Sequence, residues 1–383
     1  MALAARGAAA AAGLGAASSY AAVARPHSWR NRPAHAGNTW RVLTSWTRSG
    51  VMQQYFSQWC ESIAPKTNDA LRFEPIAGRD IVRDFQAMAA LREGYVDAIN
   101  SHSSYWNDQI PITAFLGSYP MGPQTPGCWD LFYHRLGGLE LARSAYRAHG
   151  LFFVGPITVG PNILHSRMPV RSVSDFRKKK VRVPPGELIV KFFRNLKARP
   201  VIVEPDFIVP GLNRKTLDVA DYSTPGVNLE AGLHRAAGNI CLGPPGMVSI
   251  HQPAAMMDFV VSSERWESLS SSLQRFIERE IRLYSLRHRE KLAADSLRAW
   301  RVFQREGIKI HRLPADDLEQ MQHAAWQCWH RYARTDAAAL QALKIQAAYM
   351  KSPAVGLVPA SVDFGKKKLE LGNKANNQRR YSP

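Results

Sequence analysis

Short apolar runs of strand length alternate with helix-spaced segments from residue 40 to residue 222, and this alternation narrows the fold more than any other feature. Trp40–Trp46 (WRVLTSW) reads as a strand, and Val51–Ile63 places Tyr55, Phe56, Trp59 and Ile63 at helical spacing. Leu71–Ile76 reads as the second strand, Asp84–Glu93 as a helix, and Tyr95–Asn100 as a strand that opens directly into Ser101–Trp106. Leu151–Val159 is a buried strand or a hinge crossing. Lys180–Val183 returns as a strand with Val181 and Val183 on one face, until Pro184-Pro185-Gly186 breaks it and starts the helix Leu188–Leu196. Pro200–Glu204 and Leu217–Tyr222 are further strands. Such alternation predicts parallel βαβ units. Beyond residue 256 the pattern turns helical, over Trp266–Gln304, Leu318–Tyr332 and Ala337–Tyr349.

The chain has 383 residues, enough for two lobes of ordinary size, with 45% hydrophobic and 21% charged residues. No stretch approaches the ~18 consecutive apolar residues that a membrane span needs. The formal net charge is +19; residues 1–38 account for +4 of it and residues 351–383 for +5, leaving +10 on the body. A surplus of this kind favours anionic partners: acidic ligands, acidic protein faces, anionic membrane surfaces or RNA. No recognisable RNA-binding module accompanies it. Cys60, Cys128, Cys241 and Cys328 stand alone, without metal-ligand spacing, and read as reduced thiols, with a disulfide as the alternative. No GxGxxG, P-loop or HExxH occurs, and His251, His288 and His311 have no paired Cys or Ser motif, so no enzyme activity is expected.

The first 38 residues read as a targeting segment. No Asp or Glu precedes Glu61, while Arg6, Arg25, Arg30 and Arg32 punctuate Ala, Ser and Gly, the composition of a cleaved mitochondrial or plastid transit peptide. The alternative is a bacterial secretory signal ending at Ala22-Val23-Ala24, which would send the protein to the periplasm. At the other end, residues 351–383 carry few apolar anchors and are expected to be a mobile basic tail, with Lys366-Lys367-Lys368 and Arg379-Arg380 free for an acidic partner.

Three segments, Gly94–Trp106 (GYVDAINSHSSYW), Asp175–Gly186 (DFRKKKVRVPPG) and Leu217–Asn228 (LDVADYSTPGVN), in that order and spacing resemble the extracytoplasmic solute-binding proteins of the TRAP transporters (DctP-like, of the type that binds 2-oxo and other organic acids). The resemblance spans about residues 40 to 350. It implies an α/β, two-lobed, periplasmic-binding-protein-like fold with a ligand cleft between the lobes: lobe 1 from 39–163, lobe 2 from 164–255, and helices 256–350 returning across both. It also implies a non-catalytic role in transmembrane transport, with a small organic acid anion and membrane transporter subunits as partners.

By the same resemblance Arg182 grips the ligand carboxylate, through the two parallel bonds that a guanidinium offers and a lysine does not. The alternative for Arg182 is an exposed position on an alternating edge strand. Tyr105 and Trp106, in Ser103-Ser104-Tyr105-Trp106, and Trp46 would wall the cleft, or else pack within a lobe. Members that bind 2-oxo acids with sodium carry Glu-Trp where this chain has Asp221-Tyr222, and a Gln where Pro161 falls, with Asn162 beside it. Proline supplies no amide, so the expectation is a carboxylate-binding cleft with no cofactor and no metal, Asp221 being the one weak candidate for holding sodium. The rival reading is an accessory subunit of a large mitochondrial membrane or ribonucleoprotein complex, with the cleft degenerate.

Overall fold

The computed structural model describes residues 37–369. Two mixed sheets organise them. The first has the order β2-β1-β3-β10-β4, built from β1 (Thr39–Thr44), β2 (Arg72–Ile76), β3 (Ala98–Ser101), β4 (Leu151–Gly160) and β10 (Ala255–Ser262). The second has the order β11-β9-β5-β8-β6-β7, built from β5 (Leu164–Ser166), β6 (Lys180–Val183), β7 (Arg199–Ile202), β8 (Val219–Asp221), β9 (Asn239–Leu242) and β11 (Lys309–Arg312). This is the two-lobed α/β arrangement that the resemblance implied.

The parallel βαβ expectation holds for β1 with β2 and β3, and for β6 with β7 and β8. It fails at the centre of each lobe. β10 runs antiparallel to both β3 and β4, and β5 runs antiparallel to both β8 and β9. Both reversed strands follow a crossing from one sheet to the other, so the chain enters the new sheet from the opposite direction. The segment 256–350 is therefore not helical throughout: β10 completes the first sheet and β11 the edge of the second. Trp266–Gln304 also divides, into Ser263–Glu267 and the 35-residue helix Ser271–Arg305, because Ser270 caps the second helix through the Leu273 N–H.

The chain passes between the sheets at residues 161–163, at residues 243–254 and along the helix Ser271–Arg305. The first two passages are tied together: the Asn162 N–H donates to the Gln252 carbonyl (3.0 Å) and its side-chain amide to Gln252 Oε1 (2.6 Å). The long helix packs on β4 and on the helix Pro225–Glu230. The second contact is close enough that a Cβ on Gly226 would stand 2.8 Å from Asp295 Cβ and 3.0 Å from its backbone. All four cysteines are buried and free, and burial pushes the Cys241 and Cys328 thiols up to about 12. Among the described residues no helix is long and apolar enough to cross a membrane.

The first lobe buries a carboxylate in its central strand. Asp258 is fully buried in β10 and accepts a hydrogen bond from the Tyr146 hydroxyl, which in turn accepts one from Trp106 Nε1 (2.7 Å). Burial pushes Asp258 up from 3.8 to about 7, and the tyrosine bond offsets only part of that.

The expected mobile tail is corrected over residues 351–369, while 370–383, with Arg379-Arg380, lie outside the described residues, as do residues 1–36. Leu357, Val358, Val362 and Phe364 are buried, Phe364 lies 5.7 Å from the Trp329 ring, and the Lys366 carbonyl accepts from Arg334. These few anchors suffice because the helices Leu318–Ala333 and Ala337–Met350 leave an apolar face that the tail covers.

Two outcomes follow. Each anchor contributes about 1.5–3 kcal/mol, less the cost of ordering the segment. Truncation after Met350 is therefore expected to lower the melting temperature by several degrees; an unchanged melt would mean that 351–369 does not pack. The folded chain keeps a proton on Asp258 that the unfolded chain releases. The stability this contributes is present below about pH 4 and lost as the pH rises through about 7. Asp258→Asn, which cannot ionise, is expected to raise the melting temperature at about pH 8 and leave it nearly unchanged at about pH 4.

Candidate functional site

Arg182 stands at the centre of the second lobe. Its strand, β6, lies between β7 and β8, so Arg182 is on no edge, and it is 2% exposed. Val181 and Val183 fill the lobe core on the other face, as their alternation predicts. The strand ends at Pro184-Pro185. Gly186 then takes φ +142°, a conformation that disfavours any side chain, to launch the helix Glu187–Asn195.

Two backbone carbonyls hold the guanidinium. Nε donates to the Val203 carbonyl and Nη1 to the Asp221 carbonyl, both at 2.8 Å. Nη2 makes no hydrogen bond to the described residues, so one edge of the fork is left for a ligand. Asp221 closes β8 and is fully buried, with Oδ2 3.7 Å from Arg182 Nη1. Its Oδ1 accepts from His251 Nε2 (2.8 Å) and from the Asn162 side-chain amide (3.3 Å). Burial pushes this carboxyl up. His251, Arg182 and Asn162 more than offset it, so Asp221 sits below the usual carboxylate value and is ionised at neutral pH.

Around the guanidinium the two lobes meet in a cavity of about 20 Å³, lined by Trp46, Tyr105, Asn162, Arg182 and Tyr222 together with Ser45, His102, Ser104, Pro184, Pro205 and Gln252. Five of the seven expected residues thus share one cavity, and Asp221 lies directly beneath it. The seventh does not join them. Trp106 is 1% exposed and donates to Tyr146 inside the first lobe. In the tight 3-10 turn Ser103–Trp106 it turns away from the cavity that Tyr105 lines. The lone-edge alternative for Arg182 is likewise set aside by its burial between two strands.

His102, Ser104 and Gln252 belong to the same walls but were not singled out from sequence. Burial pushes His102 down to about 4, so its ring is neutral. With Nδ1 bonded to the Met256 carbonyl (3.1 Å), the neutral ring donates there and leaves Nε2 as an acceptor. Ser104 Oγ is buried and has no hydrogen-bond partner among the described residues. Trp46 meets His102 edge to face at 5.5 Å and Tyr105 packs on Phe85 at 4.9 Å, which fixes the aromatic walls. A single His or Gln in a loop carries no spacing signal. Only the neighbourhood of His102 to the Ser-Ser-Tyr-Trp run hinted at a role.

The cleft is closed in this structure. Glu230 of the second lobe accepts from the Val51 N–H at 3.1 Å, at the N-terminus of the helix Val51–Glu61, where a carboxylate is favoured. Arg79 joins Asp84 of its own lobe to Asp206 of the other, and Arg83 lies 3.7 Å from Glu204. Outside this latch a larger opening of about 270 Å³ runs past Trp46, Arg79, Tyr222 and Glu230. A cavity of about 20 Å³ holds roughly one water, so entry of even a three-carbon acid requires the lobes to part.

Comparison with known proteins gives these features a context. A curated relative, the monocarboxylate 2-oxoacid-binding periplasmic protein of a Nostoc species, is 23% identical over 318 residues, spanning 82% of this chain and 84% of its own. The TRAP periplasmic solute-binding protein of Pseudoalteromonas atlantica, solved with bound sodium and pyruvate, superposes with a TM-score of 0.73 at 18% identity, covering 84% of this chain and 98% of its own. The one from Colwellia psychrerythraea, solved with calcium and pyruvate, has the same score, identity and coverage. The curated relative is periplasmic, in line with the secretory reading of the N-terminus; the comparisons lend no support to organelle import or to the accessory-subunit reading. Residues 43–336 match the bacterial extracellular solute-binding proteins, family 7, and the chain belongs to that family, the substrate receptors of TRAP transporters.

Proposed function

We propose that this chain binds a small organic acid of the 2-oxo or hydroxy type between its lobes, without transforming it, and presents it to TRAP membrane subunits. The observation that carries this reading is Arg182: a desolvated guanidinium, held by two carbonyls, with one edge turned to a cavity walled by Trp46, Tyr105 and Tyr222. A carboxylate meeting that edge would gain charge-assisted bonds away from water, where they are strongest. His102, Ser104 and Gln252 line the same cavity and would address the rest of a short acid. The pyruvate in two structural relatives and the name of the Nostoc protein support the ligand class.

Those relatives suggest a cation beside the acid, and the residues here do not fit one. Sodium and calcium take oxygen ligands, whereas Asp221 Oδ1 is occupied by N–H donors from His251 and Asn162, and Oδ2 faces a guanidinium. Pro161 brings no side-chain oxygen. Among the described residues no group of three or more His, Cys, Asp or Glu side chains is placed to hold a metal ion.

Calorimetric titration with pyruvate, 2-oxobutyrate, lactate and C4 dicarboxylates tests the reading. Binding of at least one is expected, with Arg182→Ala abolishing it and Arg182→Lys weakening it severely, by roughly 2–5 kcal/mol. If the wild-type chain binds none of these acids, the proposal fails. Affinity is also expected to be unchanged when sodium replaces potassium at fixed ionic strength. A clear sodium requirement would mean that Asp221 exchanges its N–H donors for a metal.

A further inference from the structure

We propose that His251 takes the place of a bound cation: an N–H donor, built into the second inter-lobe passage, that positions Asp221 and through it Arg182. The proposal rests on the reading of the cleft as an organic-acid site and gives that site a distinct, metal-free form.

The geometry is fixed from both sides. His251 is 1% exposed, its Nε2 lies 2.8 Å from Asp221 Oδ1, and its Nδ1 lies 3.1 Å from Ser249 Oγ. Ser249 is itself held, since its Oγ accepts from the Gln252 N–H at 3.1 Å. The intervening Ile250 is buried, and its carbonyl accepts from the Met121 N–H at 3.1 Å, which anchors the loop to the first lobe. Asp221 is ionised and accepts only, so the proton between the two side chains lies on Nε2.

From there the chain of contacts is short. The imidazole N–H holds the Asp221 carboxylate, the Asp221 carbonyl holds Nη1 of Arg182, and the free edge of Arg182 faces the cavity. A metal ion on Asp221 would likewise orient that carboxylate. It would have to displace His251 Nε2 to reach Oδ1. Removing the ring instead opens a position next to Asp221 Oδ1, in a carboxylate whose Oδ2 has no hydrogen-bond partner among the described residues.

His251 is thus a positioning residue, and its removal should create what it replaces. With pyruvate as the probe, His251→Ala in potassium buffer is expected to bind roughly tenfold to hundredfold more weakly than wild type, the loss of one bond to a charged partner. Added sodium or calcium at matched ionic strength should restore much of that loss. His251→Gln, which keeps an N–H donor, should stay near wild type and remain indifferent to the cation. A second readout needs no acid: calcium should raise the melting temperature of His251→Ala and leave that of the wild type unchanged. The proposal is overturned if no cation restores binding or stability to His251→Ala, or if calcium stabilises both proteins alike. Failure of wild-type protein to bind any acid would strike the ligand reading alone, because the melting comparison still decides the role of His251.

Discussion

Asp221 is the point on which the architecture around the cleft converges. A fully buried carboxylate costs several kcal/mol unless it is matched by charge and hydrogen bonds. Its partners come from three places: Arg182 from the neighbouring strand, Asn162 from the first inter-lobe passage and His251 from the second. Asn162 and Gln252 bind each other as well, so the two passages and the end of β8 form one polar knot in an otherwise apolar interior. Loss of any partner leaves a buried group unsatisfied, which makes the knot rigid. Rigidity at the base of the cleft is what keeps the free edge of Arg182 pointed at the ligand position.

The lobes close over this base by contacts of a different kind. The Arg79–Asp206, Arg83–Glu204 and Glu230–Val51 contacts lie at the rim, partly in water, where each is worth little. A strong centre and a weak rim suit a receptor that must shut on its ligand and then release it. Part of the basic surplus sits elsewhere. Arg275, Arg279 and Arg282 are exposed along the long helix beside a groove of about 360 Å³, where they raise the local concentration of anions without entering the cleft.

Arg182 was singled out by the resemblance; the alternating valines, two prolines and glycine around it marked only its strand and the turn that follows. The expectation that Trp46, Tyr105, Asn162, Asp221 and Tyr222 lie together at a cleft rested on the same resemblance. Trp106 was misplaced because neighbouring side chains in a 3-10 turn diverge by about 120°, and sequence alone does not say which of the two faces the cleft. His251 and Gln252 stayed hidden because their roles depend on where the chain recrosses between sheets, a tertiary event without a local signature. β10 itself was missed for the same reason: AMMDFVVS was counted with the helical segment, and its antiparallel place between β3 and β4 depends on that recrossing. In the tail, Val358, Val362 and Phe364 were counted as too few to order the segment, because their value depends on the helical face that they cover.

The helix Ser271–Arg305 has a mechanical consequence. At about 1.5 Å per residue its 35 residues span about 50 Å, and it leans on β4 in one lobe and on the helix Pro225–Glu230 in the other. The second contact is a backbone-to-backbone approach at Gly226, with no flexible side chain to absorb sliding. When the lobes part, this beam must bend, or pivot at that glycine. The helix is thus shared by both lobes, and a change in the angle between them has to be taken up along its length or at its contact with Gly226.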